Sequence, residues 1–176
     1  MKVLITLITF CLVLSCEVEK DVGFSFKNKG NPLIRHMYTA DPSARVIDNR
    51  LYVYTSHDED TADTNQHFYM NNWHVFSTNN LTDWLGHGPI FSLDDITWAD
   101  RQAWAPDCVE RKGKYYFYFP VEQTKIGVAV SSTPVGPFKD ALGRPLVNNK
   151  DNEAVVGREP IDPAILIDDG QAKKYD

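Results

Sequence analysis

One layout recurs three times along this chain, and that recurrence constrains the fold more than any other feature. Ala40-Asp41-Pro42 leads into Ser43-Ala44-Arg45-Val46-Ile47, then a turn at Asp48-Asn49, then Leu51-Tyr52-Val53-Tyr54. Ala105-Pro106-Asp107 leads into Cys108-Val109-Glu110-Arg111, a turn at Lys112-Gly113, then Tyr115-Tyr116-Phe117-Tyr118. Ile161-Asp162-Pro163 leads into Ala164-Ile165-Leu166-Ile167 and a turn at Asp169-Gly170. Each unit sets an Asp beside a Pro, follows with a short apolar strand, and turns on residues that accept positive φ. Those are the requirements of a two-residue β-hairpin.

A second repeat lies between the hairpins. Val75-Phe76-Ser77-Thr78 runs on to Leu81-Thr82-Asp83-Trp84, and Ala129-Val130-Ser131-Ser132 to Val135-Gly136-Pro137-Phe138. Each is a strand, a polar turn and an aromatic, the expected third strand of a small sheet and its turn outward. No long helical period follows residue 30, so the fold class is all-β. Hairpin, third strand, hairpin, third strand, hairpin is the order that radial repetition of sheets predicts, as in a β-propeller. A β-sandwich with similar turns is the alternative; the repeated Asp-Pro favours the propeller. The 176 residues suffice for about two to three blades, at roughly 40–60 residues each.

In a propeller the first residue of every inner strand faces one central funnel. Asp41 and Asp162 hold matching places, each eight residues before its turn residue, Asn49 or Gly170. The middle unit has Ala105 there, with Asp107 two residues later. Carboxylates far apart in sequence are thereby gathered into one pocket. Glycoside hydrolysis needs such a pair, one group to protonate the leaving oxygen and one to activate water or attack. The alternative is that each Asp-Pro merely caps the start of a strand.

Three segments carry a resemblance to a known family: NPLIRHMYTADPSARV, AWAPDCVERKGKYYFYFP and PIDPAILIDDGQA. Together they closely resemble glycoside hydrolase family 43, and GVAVSSTPVGPFKDALGRPL looks like its second-blade edge. That family includes β-xylosidases, α-L-arabinofuranosidases and related arabinan and xylan hydrolases on a five-bladed β-propeller. The resemblance spans residues 31–172. It implies an inverting mechanism with three carboxylates. Asp41 would be the general base, and Asp162 the carboxylate that raises the pKa of the acid and orients it. The general acid would be a Glu of a later blade. No residue here matches it: Glu159 lies on the approach to the strand of Asp162, and Glu122 and Glu153 fit no motif of the family. The resemblance implies no required cofactor. Some members hold a calcium ion on the axis, but no metal-ligand set is identified here, and the five His residues lack metal-ligand spacing.

Sugar faces pack on flat rings, so Trp104, just before Ala105-Pro106-Asp107, is the expected substrate platform. Asp107 would either bond sugar hydroxyls or act as a buried structural acceptor. Trp73, Trp84 and Trp98 are expected to pack between blades. Net charge is −6, and no Lys/Arg cluster offers a nucleic-acid footprint. The implied partner is a plant cell-wall oligosaccharide or polysaccharide. Two rivals remain: a carbohydrate-binding propeller without catalysis, and a five-bladed enzyme that transfers fructosyl units.

Residues 1–16 read as an export signal of lipoprotein type. Lys2 starts it, Val3 to Leu14 is apolar but too short to cross a bilayer, and Val13-Leu14-Ser15-Cys16 ends it. Cys16 is the candidate lipidation site. The expected location is a membrane-anchored bacterial lipoprotein, at the cell surface or in the periplasm, or a secreted protein if Cys16 stays unmodified. Residues 17–30 read as a polar tether and 31–176 as a partial propeller domain. Cys108 is then the domain's single cysteine, expected as a small buried residue in a strand. The alternation of the third hairpin is expected to fail at Lys173-Lys174-Tyr175-Asp176, as in a truncated or frame-disrupted chain.

Overall fold

A computed structural model describes residues 23–60, 68–151, 159–168 and 171–175. The export segment with Cys16, together with Glu153 and the turn at Asp169-Gly170, lies outside these. The strands in chain order are β1 (Phe24–Lys27), β2 (Tyr38–Ile47), β3 (Arg50–Asp58), β4 (Met70–Thr78), β5 (Asp83–Ser92), β6 (Asp107–Arg111), β7 (Lys114–Val121), β8 (Lys125–Ser131), β9 (Lys139–Asp140), β10 (Val147–Asn148), β11 (Ala164–Asp168) and β12 (Gln171–Tyr175). A 3-10 turn, Leu93–Asp95, follows β5, capped by Ser92.

The strands form three antiparallel sheets. The first has the order β1-β5-β4-β3-β2, the second β10-β8-β7-β6 with β9 also on β8, and the third β11-β12. The predicted hairpins are β2–β3, β6–β7 and β11–β12, and the predicted third strands are β4 and β8. The first two hairpins turn as their sequences require, with positive φ at Asp48 (47°) and Asn49 (61°), and at Lys112 (53°) and Gly113 (73°). Inner strand β6 lies beside both β2 and β11. The sheets therefore follow one another as blades.

Strand alternation makes the core. Tyr54 and Trp73 lie on the face of the first sheet turned toward the second, and both are fully buried. The Trp73 ring lies 5.7 Å from Phe117 and 5.2 Å from Phe119, and it stacks on Phe91 at 5.6 Å. Gly127 lies across the strand pair from Phe119, and the Phe119 ring covers it: a Cβ there would come within 2.3 Å of that ring. Trp98 stacks on Phe119 at 5.9 Å and donates its Nε1–H to Asp140. Trp84 differs from the expectation. It packs within the first sheet, stacked on Phe26 at 6.4 Å.

Two expectations need correction. The segment taken as the end of a polar tether contains β1, whose residues pair with β5 from Phe24↔Gly86 to Lys27↔Asp83. Phe24-Ser25-Phe26-Lys27 alternates apolar and polar side chains, and Phe26 covers Phe76 and Trp84 on one face of the sheet. The third hairpin does not fail at Lys173 either. β12 pairs with β11 through Tyr175↔Ala164. Ladder hydrogen bonds use main-chain groups, so two lysines in succession do not end a strand.

Candidate active site

Asp41 is placed by a fault in the β2–β3 ladder. Ala40 pairs with Ser56 and Ser43 with Tyr54, so Asp41 and Pro42 together oppose the single residue Thr55. Pro42 has no N–H to give the ladder, and the extra residue bulges out. Asp41 takes φ 48°, a left-handed conformation that costs a non-glycine residue about 1–2 kcal/mol. The bulge frees its side chain from the sheet, and Asp41 is exposed.

Asp162 repeats this geometry at the start of β11. It too precedes a proline, takes φ 51° and is exposed. Two aspartates at equivalent places in two sheets thus share one strained backbone state, and such strain concentrates at functional sites. Their side chains meet electrostatically. The Asp162 carboxyl is held above its ordinary value, first by partial burial and then by the negative charge of Asp41. The two aspartates equated from spacing thus lie within electrostatic reach of each other.

Asp107 goes elsewhere, and of its two readings the structure has the buried acceptor. It is 2% exposed. Its Oδ1 accepts from Ser43 Oγ (2.6 Å), Arg45 Nε (2.9 Å) and its neighbour's amide, Cys108 N (2.8 Å). Its Oδ2 accepts from Arg45 Nη2 and from Ile165 N, the latter at 2.7 Å. With these five donors the carboxylate is committed to the chain itself, which corrects its assignment as a substrate ligand. Sequence reasoning missed Ser43 and Arg45, because nothing local marks a partner some sixty residues away.

Trp104 stands just ahead of Ala105, at the head of the second sheet. It is half-buried, and its main chain is held from both sides. Its N–H donates to Pro120 O (3.3 Å), and its carbonyl accepts from Trp73 Nε1 (2.7 Å). Its indole Nε1 is buried with no partner among the described residues. Phe68, 62% exposed, stands edge-on to it at 6.1 Å. Phe68 extends the aromatic surface and was not singled out from sequence; only its contact with Trp104 marks it.

The remaining candidates sort by contact. Glu122 is engaged with Lys125 (2.6 Å) at the β7–β8 turn, and Glu159 is exposed ahead of Asp162. Cys108 is fully buried, and burial pushes its thiol up to about 12. Among the described residues no group of three His, Cys, Asp or Glu side chains is arranged to hold a metal ion.

Successive radial sheets with paired aspartates at their heads describe a class of sugar-processing propellers. A sequence profile of that class, glycosyl hydrolases family 43, matches residues 29–175, and the chain belongs to this family. It is 41% identical over 156 residues to xylosidase/arabinosidase 43A of Humicola insolens, covering 82% of this chain and 45% of that protein. It is 38% identical to a xylosidase/arabinosidase of Bacteroides ovatus, covering 85% of this chain and 46% of that protein. Among solved structures it resembles a β-xylosidase/α-arabinofuranosidase from a compost microbial metagenome, in complex with xylotriose and free of calcium. There the TM-score is 0.68 at 40% identity, over 85% of this chain and 45% of that one. An arabinoxylan arabinofuranohydrolase from Bacillus subtilis, in complex with cellotetraose, gives a TM-score of 0.70 at 30% identity, over 81% and 33%. The chain thus spans about half the length of these two curated relatives.

Proposed function

We propose that this chain carries two of the three carboxylates of an inverting glycosidase acting on arabinofuranosyl or xylosyl linkages of plant polysaccharides. The observation that carries this reading is the Asp41–Asp162 pair. The two sit in the same left-handed, pre-proline geometry at the heads of two sheets, and the charge of one acts on the other. Asp41, exposed and freed from the ladder, activates a water molecule. Asp162 keeps a proton-donating partner protonated, since a nearby carboxylate disfavours ionisation. In an inverting site the acid and base stand about 6.5–9.5 Å apart, which leaves room for that water. The proton donor is assigned to no residue of this chain. Trp104, with Phe68 beside it, offers the flat surface for a sugar face. Matches to xylosidases and arabinofuranohydrolases support the substrate class.

The test uses this chain joined to the length its relatives possess, with nitrophenyl arabinofuranoside and xyloside as substrates. Asp41→Asn should lower kcat by about 10²–10⁴-fold, the usual contribution of a general base, with little change in KM. The anomeric configuration of the first product, read by proton NMR, should be inverted. An unchanged kcat removes Asp41 from the mechanism, and sugar binding without turnover by the parent protein would favour a carbohydrate-binding role.

We further propose export with a lipid anchor on Cys16, supported by Lys2, the apolar run Val3 to Leu14 and Ser15 just before the cysteine. Metabolic labelling with a radioactive fatty acid, lost in Cys16→Ser, tests it.

A further inference from the structure

Asp107 occupies the place in the middle unit that Ser43 and Ala164 occupy in the units on either side, two residues beyond Asp41 and Asp162 respectively. Its neighbours in the fold follow from that register. Ser43 and Arg45 reach it from β2, Cys108 N from its own strand β6, and Ile165 N from β11. Arg45 adds a second link to the third sheet, since its Nη2 also donates to Ile165 O at 3.0 Å. One buried carboxylate and one guanidinium therefore join three inner strands that have no ladder between them. The joint lies two residues from Asp41 along β2 and three residues from Asp162 along the third segment.

We propose that Asp107, clamped by Arg45 and Ser43, is a positioning residue that sets the separation of Asp41 and Asp162. The middle sheet has no carboxylate at its head, where Ala105 stands, and uses one a step deeper to register the sheets on either side. Among the described residues no hydrogen-bonded ladder fixes one blade against the next, so their relative placement depends on packing and on links of this kind. The bidentate fork of Arg45 suits the task, because it fixes angle as well as distance. Aromatic packing and scattered hydrogen bonds, such as Trp73 Nε1 to Trp104 O (2.7 Å) and Tyr54 Oη to Pro134 O (2.8 Å), hold the broad face between the first and second sheets. At the heads of β2 and β11 the exposed Asp41, Pro42 and Asp162 offer no comparable buried surface.

This proposal rests on the reading of Asp41 and Asp162 as a working pair, and the experiment separates the two ideas. Carboxyl titrations of Asp41 and Asp162 are followed by carbon NMR in this chain and in Asp41→Asn, Asp107→Asn and the double variant. Among the described residues Asp41 is the charged group that acts on Asp162. In the parent chain Asp41→Asn should bring the Asp162 titration down. In the Asp107→Asn background that response should shrink to less than half, because the two carboxylates drift apart. The same cycle in Ser43→Ala and in Arg45→Lys keeps the measurement on folded protein, since each leaves the Asp107 carboxylate with other donors. A response of equal size in all backgrounds overturns the positioning role, even if thermal stability falls, because a purely structural clamp would change stability alone. No response to Asp41→Asn in the parent chain would instead remove the working pair itself.

Discussion

His74 lies on the face of β4 turned away from the second sheet, 9% exposed, stacked on Phe76 and 5.0 Å from the His57 ring. Burial first, then the neighbouring His57 and His36, push its pKa down from 6.5 to about 4. A histidine held neutral in the fold but free to protonate when unfolded makes stability depend on pH. Between the two pKa values the unfolded chain binds the extra proton. Stability is then fully present above about pH 6.5 and is lost as pH falls toward 4. At 1.36 kcal/mol per unit, the loss reaches about 2 kcal/mol between pH 7.5 and 5 and about 3 kcal/mol below pH 4. His87, also pushed down by burial, tilts the curve the same way, so the contribution of His74 must be read as a difference. Urea unfolding followed by tryptophan fluorescence, at pH 7.5 and pH 5, would be compared between this chain and His74→Phe. The variant keeps an aromatic ring over Phe76 and should lose about 2 kcal/mol less on acidification. Parallel pH dependence in the two proteins, or a His74 imidazole that titrates near its ordinary value by NMR, would refute the reasoning.

Trp73→Phe should destabilise the chain by about 2–4 kcal/mol, because it shrinks a fully buried ring and leaves the Trp104 carbonyl unpaired. A urea midpoint equivalent to less than about 1 kcal/mol of loss would show that the carbonyl finds another donor. Cys108, with Cys11 and Cys16 replaced by serine, should react with a thiol reagent at pH 8 on the order of 100-fold more slowly in native buffer than in urea, given its buried, raised thiol. Comparable rates in the two solvents would mean that the first and second sheets separate readily.

Much of this architecture is legible in the linear sequence because it is locally encoded. A hairpin is specified by the turn residues and the alternation on either side, so β2–β3 and β6–β7 follow from Asp48-Asn49 and Lys112-Gly113. Asp41 and Asp162 could be equated because each is counted from its own turn. β1 was equally legible in the alternation of Phe24-Ser25-Phe26-Lys27, but its partner β5 lies some sixty residues away, and a short strand next to charged residues reads as a tether until that partner is in place. The lysines near the end of the third hairpin do not end β12, for a related reason. Side-chain pattern identifies a buried strand face, whereas pairing needs only the backbone.

By itself the sequence determined the all-β class, the repeated unit, the family and the two aspartates at the heads of their strands. These depend on interactions within about twenty residues, where spacing and geometry correspond closely. Only the tertiary structure decided the role of Asp107. Its chemistry, a short acidic side chain beside a proline, is the same as that of its two counterparts. What separates them is whether other strands bring donors to the carboxylate. Ser43, Arg45 and Ile165 surround Asp107 and exclude water from it, while the bulge at Asp41 leaves that side chain in the open. A carboxylate's function is set by which groups surround it, and those groups come from blades that only folding brings together.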